Sequence, residues 1–169
     1  LREATACGAD AVLLIARILG EARLRELFRD ADALGLDSLV EVATEEELAW
    51  AVSAGATVIG VNARDLDTLV MDTERATRVL EAIPRTCVPL YLSGLKGPDD
   101  VRRIAATPAH AALVGETLMR ADDPAAALTT LNVTSTVAGS AVSGTKPRSF
   151  PSAMSDRRCV ALTMRLSRA

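Results

Sequence analysis

Aromatic residues are nearly missing from this 169-residue chain: Trp50, Tyr91, Phe28 and Phe150 are all there are. That scarcity excludes stacking platforms for nucleic-acid bases and aromatic cages for ligands. The core must be built from Val, Leu, Ile and Ala instead. Histidine is scarcer still. His110 stands alone, close to Pro108 and just ahead of an apolar run, and reads as a surface loop residue. A Ser-His-Asp triad would have to use it, and no GxSxG motif is present. The three cysteines, Cys7, Cys87 and Cys159, are odd in number, far apart and without a CxxC pair. That spacing argues against zinc ligation and against a disulfide framework, and suits reduced thiols in the cytoplasm. No apolar run approaches the roughly 18 residues needed to span a membrane. The opening LREATACGAD carries charge and does not read as a secretory signal. The net charge of −3 points to neither nucleic acid nor a membrane as partner.

What is present, up to about residue 131, is a regular alternation. Short apolar runs rich in β-branched residues occur at Ala11–Ile15, Ser38–Val42, Thr57–Val61, Val88–Leu92 and Ala111–Val114. They are continuous rather than alternating, as expected of strands covered on both faces. The charged segments between them have helical spacing. Glu21–Leu34 puts Leu24, Leu27, Phe28, Ala31 and Leu34 on one face, and Asp72–Ile83 does the same with Ala76, Val79, Leu80 and Ile83. Thr44–Ala54 opens with Thr-Glu-Glu-Glu, a capping pattern in which Thr44 accepts from a free backbone N–H and Glu47 reaches back. Pro98–Ala106 and Asp123–Leu131 each carry proline in the first turn. Leu1–Cys7 reads as the end of a helix stopped by Gly8. Such alternation predicts a parallel sheet with right-handed crossovers. Periodicity does not separate an open doubly wound sheet from part of a (β/α)8 barrel.

Residues 132–169 change character. They are rich in Ser, Thr, Gly and Pro, and then basic, with Lys146, Arg148, Arg157, Arg158, Arg165 and Arg168 against Asp156. This composition predicts a solvated, disordered tail. No aromatics interleave its arginines, which weakens a polyanion-binding reading.

Candidate site residues lie at the C-terminal ends of the parallel strands, the edge that holds ligands in barrels and open sheets alike. Glu41 sits within Ser-Leu-Val-Glu-Val, where a buried carboxylate is costly unless it is paired or used. Asn62 and Arg64 follow the third run and point the same way by alternation, an amide beside a guanidinium. The plainer alternative pairs Arg64 with Asp65 or Asp67. Ser93-Gly94 and Gly115-Glu116 close the fourth and fifth runs. Their backbone turns could hold phosphate, helped by a short helix at Thr117–Arg120.

The segments GADAVLLI (8–15), LVEVATEEE (39–47), AGATVIGVNARDLDTL (54–69), SGLKGPDDV (93–101) and ALVGETLMRADDPAAAL (112–128), in this order, resemble indole-3-glycerol-phosphate synthase. The resemblance runs over residues 1–131 and implies a partial TIM (β/α)8 barrel. The five runs would be barrel strands 4 to 8, with the first three strands missing. It also implies a cofactor-free and metal-free lyase of tryptophan biosynthesis. That enzyme closes the indole ring of 1-(2-carboxyphenylamino)-1-deoxyribulose 5-phosphate with loss of carbon dioxide and water. By position, Glu41 would serve acid–base chemistry and Asn62 would contact substrate. Arg64 would bind the anthranilate part. Ser93, Gly94 and Gly115 would lie about the phosphate, beside Glu116. Like charges keep the Glu116 side chain itself from holding phosphate.

Three departures stand out. The family's Glu-Ser-Gly is Leu92-Ser93-Gly94 here, and Ala43 stands where a histidine is frequent. The family's lysine-bearing strands 1 and 3 have no counterpart, because Lys96 and Lys146 are the only lysines. The chain is therefore expected to be a piece of a longer protein. Alone it should be inactive and poorly stable. Apolar strands at both open barrel edges would be unpaired and prone to self-association.

Overall fold

The computed structural model describes residues 1–66, 68–133 and, for the backbone, 162–165. Short helix α1 (Arg2–Ala6) leads to β1 (Ala11–Ile15). There follow α2 (Ala16–Ala33), β2 (Asp37–Val42), α3 (Glu45–Ala54), β3 (Val58–Asn62), α4 (Thr73–Ala82), β4 (Val88–Leu92), α5 (Pro98–Ala105), β5 (Ala111–Val114), α6 (Glu116–Met119), α7 (Pro124–Val133) and β6 (Leu162–Arg165). Strands β1 to β5 are parallel and lie side by side in chain order. This order decides between the two architectures. A doubly wound sheet reverses direction at a switch point and places helices on both faces. Here every crossover steps the same way, as in a (β/α)8 barrel.

The packing agrees with that winding. Leu14, Val40, Val42, Ile59, Val61, Tyr91, Ala112 and Val114 share one buried cluster with Leu24, Leu48, Ala51, Val79, Leu80, Val101 and Ile104 of the helices. The intervening residues Leu90, Leu92 and Ala111 cluster with Val58, Val88 and Leu113, all of them strand residues. One face of the sheet therefore carries the helices, and the other is the inner wall of a partial barrel. Gly60 lies on that inner wall, where a Cβ would stand 2.5 Å from Leu92 Cδ1 and 2.9 Å from its Cγ.

Local signals explain the helix boundaries. Thr44 Oγ1 accepts from Glu47 N at 3.2 Å, and the Glu47 carboxylate accepts from Ala43 N at 2.6 Å. The predicted cap therefore forms, but Glu47 reaches one residue further back than the usual reciprocal bond. Helix α2 begins earlier than periodicity predicts, because a turn at 16–19 precedes a break at Gly20 (φ 69°). The third strand is displaced by one residue from the predicted 57–61, which brings Asn62 into the ladder opposite Leu92.

One expectation is corrected. The β5 edge is not unpaired: β6 lies antiparallel against it, Val114 opposite Leu162. Among the described residues the edges of the sheet are β1 and the outer side of β6. The helix α7 runs two residues into the expected tail, to Val133, and residues 134–161 and 166–169 lie outside the described residues. Among those described, no helix is long and apolar enough to cross a membrane.

Candidate functional site

Glu41 and Asn62 face the inner wall from adjacent strands. Glu41 pairs in register with Gly60, so Asn62 stands one step beyond it, within diagonal reach. Both are buried, and Asn62 Nδ2 donates to Glu41 Oε1 at 2.9 Å. The other end of the same amide is also held, since Asn62 Oδ1 accepts from the backbone N–H of Arg64 at 2.9 Å. Arg64 in turn sends its guanidinium across the mouth to Glu116, with Nη2 3.3 Å from Oε2. Four of the sequence candidates thus form one chain of contacts, Glu41–Asn62–Arg64–Glu116, across the C-terminal ends of β2, β3 and β5.

Burial pushes the Glu41 carboxyl up from its ordinary value. The Asn62 N–H draws it partly back, and the nearby Glu47 carboxylate adds to the rise. A carboxyl so placed holds its proton at higher pH than a solvated one, which suits a group that both gives and takes protons.

The loops after β3, β4 and β5 are knitted together. The 63–72 loop folds back on itself through Asp65 N to Val70 O at 2.9 Å, Asp72 N to Ala63 O at 2.8 Å and a bridge between Arg64 and Met71. Met71 then lies over Gly94, where a Cβ would come within 2.2 Å of its Cε. Ser93 and Gly94 are both left-handed, at φ 71° and 78°. For Ser93 this is a strained conformation, of the kind that concentrates at ligand sites. Thr117 Oγ1 donates to the carbonyl of Leu95, tying α6 to the loop after β4. Gly115 precedes α6 and accepts from Leu118 N and Met119 N, each at 3.0 Å. Ser93, Gly94, Gly115 and Glu116 are thereby held at one rim.

Two departures take structural form. Leu92 is buried in the inner wall beside Asn62, so that corner of the site is apolar. Lys96 is exposed in the loop after β4. Among the described residues, no group of histidine, cysteine or carboxylate side chains could hold a metal ion. Two surface hollows of about 450 and 430 Å³ lie elsewhere. One is lined by Thr73, Thr77 and Arg103, the other by Leu48, Val52 and Pro84, and neither touches the Glu41 chain.

Arg75 escaped the reading of the sequence. It lies in the first turn of α4, largely buried, and its Nη2 donates to the carbonyls of Asn62 (3.4 Å) and Ala63 (3.5 Å). Its Nη1 stands 3.6 Å from Asp65 Oδ2. Asp65 is therefore engaged with Arg75, and Arg64 is left to Glu116. A cation in a helix's first turn opposes the helix dipole. That mismatch was the signal available in the sequence.

The sequence model of the family described as indole-3-glycerol phosphate synthase matches residues 1–131. The synthase of Desulfotalea psychrophila is 48% identical over 120 residues, which are 71% of this chain and 46% of that protein. Indole-3-glycerol phosphate synthase 1 of Streptomyces coelicolor is 47% identical over 131 residues, 78% of this chain and 49% of that protein. The chain thus spans about half the length of the curated relatives it matches. Among solved structures, thiamine phosphate pyrophosphorylase from Pyrococcus furiosus superposes with a TM-score of 0.59 at 22% identity. The match covers 78% of this chain and 61% of that one, a likeness of fold alone. The family match over the whole strand–helix region makes this chain a member of the indole-3-glycerol phosphate synthase family.

Proposed function

We propose that this chain carries the C-terminal half of a synthase active site. The full site would close the indole ring of 1-(2-carboxyphenylamino)-1-deoxyribulose 5-phosphate, releasing carbon dioxide and water, in the cytoplasmic synthesis of tryptophan. The observation that supports this most is the Glu41–Asn62–Arg64–Glu116 chain on one end of a sequentially ordered parallel sheet. In this reading Glu41 moves protons during ring closure and dehydration, because burial keeps its proton available. Asn62 orients that carboxyl and meets the substrate. Arg64 attracts the ring carboxylate. Ser93, Gly94 and Gly115 line the phosphate end with backbone. No cofactor takes part. The lysines that the family resemblance requires would come from strands supplied along the open β1 edge. The half-exposed Leu13 beside that edge is apolar surface suited to such a union.

The test is complementation. The chain is mixed with the N-terminal half of the Streptomyces coelicolor relative, and formation of the indole product is followed by fluorescence. The chain alone should give no turnover, the mixture should, and Glu41→Gln should lower the mixture's rate by about 10²–10⁴-fold, the usual worth of an acid–base group. Turnover by the chain alone, or a stable mixture that never turns over, would sink the reading. A second reading, a catalytically dead phosphate-binding half-barrel, is favoured by the buried Leu92 where the family has glutamate. Phosphate binding in a mixture without turnover would select it.

A further inference from the structure

We infer that β6 is a self-capping strand: it holds the sheet edge on which a (β/α)8 barrel closes, and a partner strand gains that edge only by displacing it. This rests on the barrel-completing reading proposed above and adds a control to it.

Direction and coverage set β6 apart from the other strands. In a (β/α)8 barrel every strand is parallel to both neighbours. Strands β1 to β5 obey that rule, whereas β6 runs antiparallel to β5. It therefore does not continue the barrel. Its cover of β5 is complete. Ala111 is opposed by Arg165, Ala112 by Met164, Leu113 by Thr163 and Val114 by Leu162, which are all the residues of β5. None is left for another strand on that side.

This is the edge that closure needs. A closed barrel has no edges, because its last strand pairs with its first. With β1 to β5 in chain order, added strands must pair with β1 on one side and with β5 on the other. The outer side of β1 is open among the described residues, and that of β5 is occupied. Strands supplied to this chain thus dock on β1 and complete the ring only when β6 leaves. Until then the cap protects the chain. An apolar edge such as Ala-Ala-Leu-Val is a template for pairing with other chains, and β6 satisfies it from within.

The cap is strong enough to compete and short enough to leave. It has only four residues, Leu162–Arg165. Being in the same chain as β5, it acts at a roughly millimolar effective concentration, which an added partner does not match. An edge free in only ~1–10% of molecules lowers a partner's apparent affinity by about 10–100-fold.

Variants of the full chain test this. Successive backbone N–H groups point to opposite sides of a strand, so either Thr163 or Met164 donates towards β5. Thr163→Pro combined with Met164→Pro removes that donor whichever it is. Titrated with the N-terminal half of the Streptomyces coelicolor relative, the double variant should bind about 10–100-fold more tightly than the parent. Equal affinity overturns the inference. A second arm needs no partner. Residues paired across antiparallel strands have Cα atoms about 4.5–5.5 Å apart, within the reach of a disulfide. With Cys7, Cys87 and Cys159 changed to serine, Leu113→Cys with Thr163→Cys should oxidise readily within the chain. Leu113→Cys with Met164→Cys, one step out of register, should not. Equal oxidation of the two pairs also overturns the inference. Failure of the proposed function shows separately, as a double proline variant that binds the N-terminal half tightly and forms no indole product.

Discussion

Replacing Asn62 by leucine probes the centre of the site. The substitution keeps the side-chain volume similar and removes two hydrogen bonds: the donation to Glu41 Oε1 and the acceptance from Arg64 N, both 2.9 Å. A bond to an ionised group contributes about 1.5–3 kcal/mol and a neutral one about 0.5–1.5 kcal/mol. Asn62→Leu should therefore destabilise the chain by about 2–4 kcal/mol at pH values above the folded Glu41 titration, where the carboxyl is ionised. The coupling separates the two terms. In a Glu41→Met background the carboxylate is gone, and Asn62→Leu should cost about 0.5–1.5 kcal/mol, the Arg64 N–H part alone. Urea unfolding of the four proteins, at constant m, gives the cycle. The coupling should also depend on pH. Burial raises the Glu41 pKa in the folded chain, so the folded state holds the proton more tightly than the unfolded state. Stability from this group is present below the ordinary glutamate range and falls as pH rises through the folded value. Loss of the Asn62 donor raises that value further, so Asn62→Leu should lose stability with pH more steeply than its parent. An equal cost of Asn62→Leu in both backgrounds would refute the reasoning, because the amide would then contribute nothing to holding the carboxylate.

Three further outcomes are expected. Glu41→Gln keeps an acceptor for Asn62 and removes the buried charge, so it should raise the urea midpoint at pH above the folded Glu41 titration and leave it unchanged below, where Glu41 is already protonated. Gly60→Ala drives a Cβ to within 2.9 Å of Leu92 Cγ and should cost about 1–3 kcal/mol as overpacking; adding Leu92→Ala to it should cost less than Leu92→Ala does in the parent, measured by the same titration. Thr44→Ala removes the side-chain acceptor for Glu47 N and should cost about 1 kcal/mol, with faster amide exchange confined to the first turn of α3.

The strands were legible because nothing competes with their pattern. Val88–Leu92 and Ala111–Val114 are uninterrupted apolar runs, and the structure has the same bounds. The start of α3 was legible from Thr44, whose side chain accepts from Glu47 N, whereas the Asp72 side chain that accepts from Arg75 N at the start of α4 is seen only in the structure. Glu41 stood out in the sequence as a candidate because a carboxylate in an apolar strand needs a reason. Its partner did not, because parity puts Glu41 and Asn62 on a common face only once register is known, and register is a relation between strands. Arg64 shows the same limit. Adjacent acids in sequence suggested Asp65 or Asp67, yet Asp65 is occupied by Arg75 and Thr68, and Arg64 spans to Glu116.

By itself, then, the sequence determined the alternation of elements, the ends of some of them, and which strand tips carry polar groups. Local propensity, capping and periodicity act within one segment at a time. The tertiary structure decided three matters that no segment contains. Sequential winding made the sheet part of a barrel instead of a doubly wound layer. Register brought Glu41 against Asn62. Closure of the loops after β3, β4 and β5 set Arg64 between Asn62 and Glu116, because contacts between residues distant in sequence form only when the whole sheet is in place.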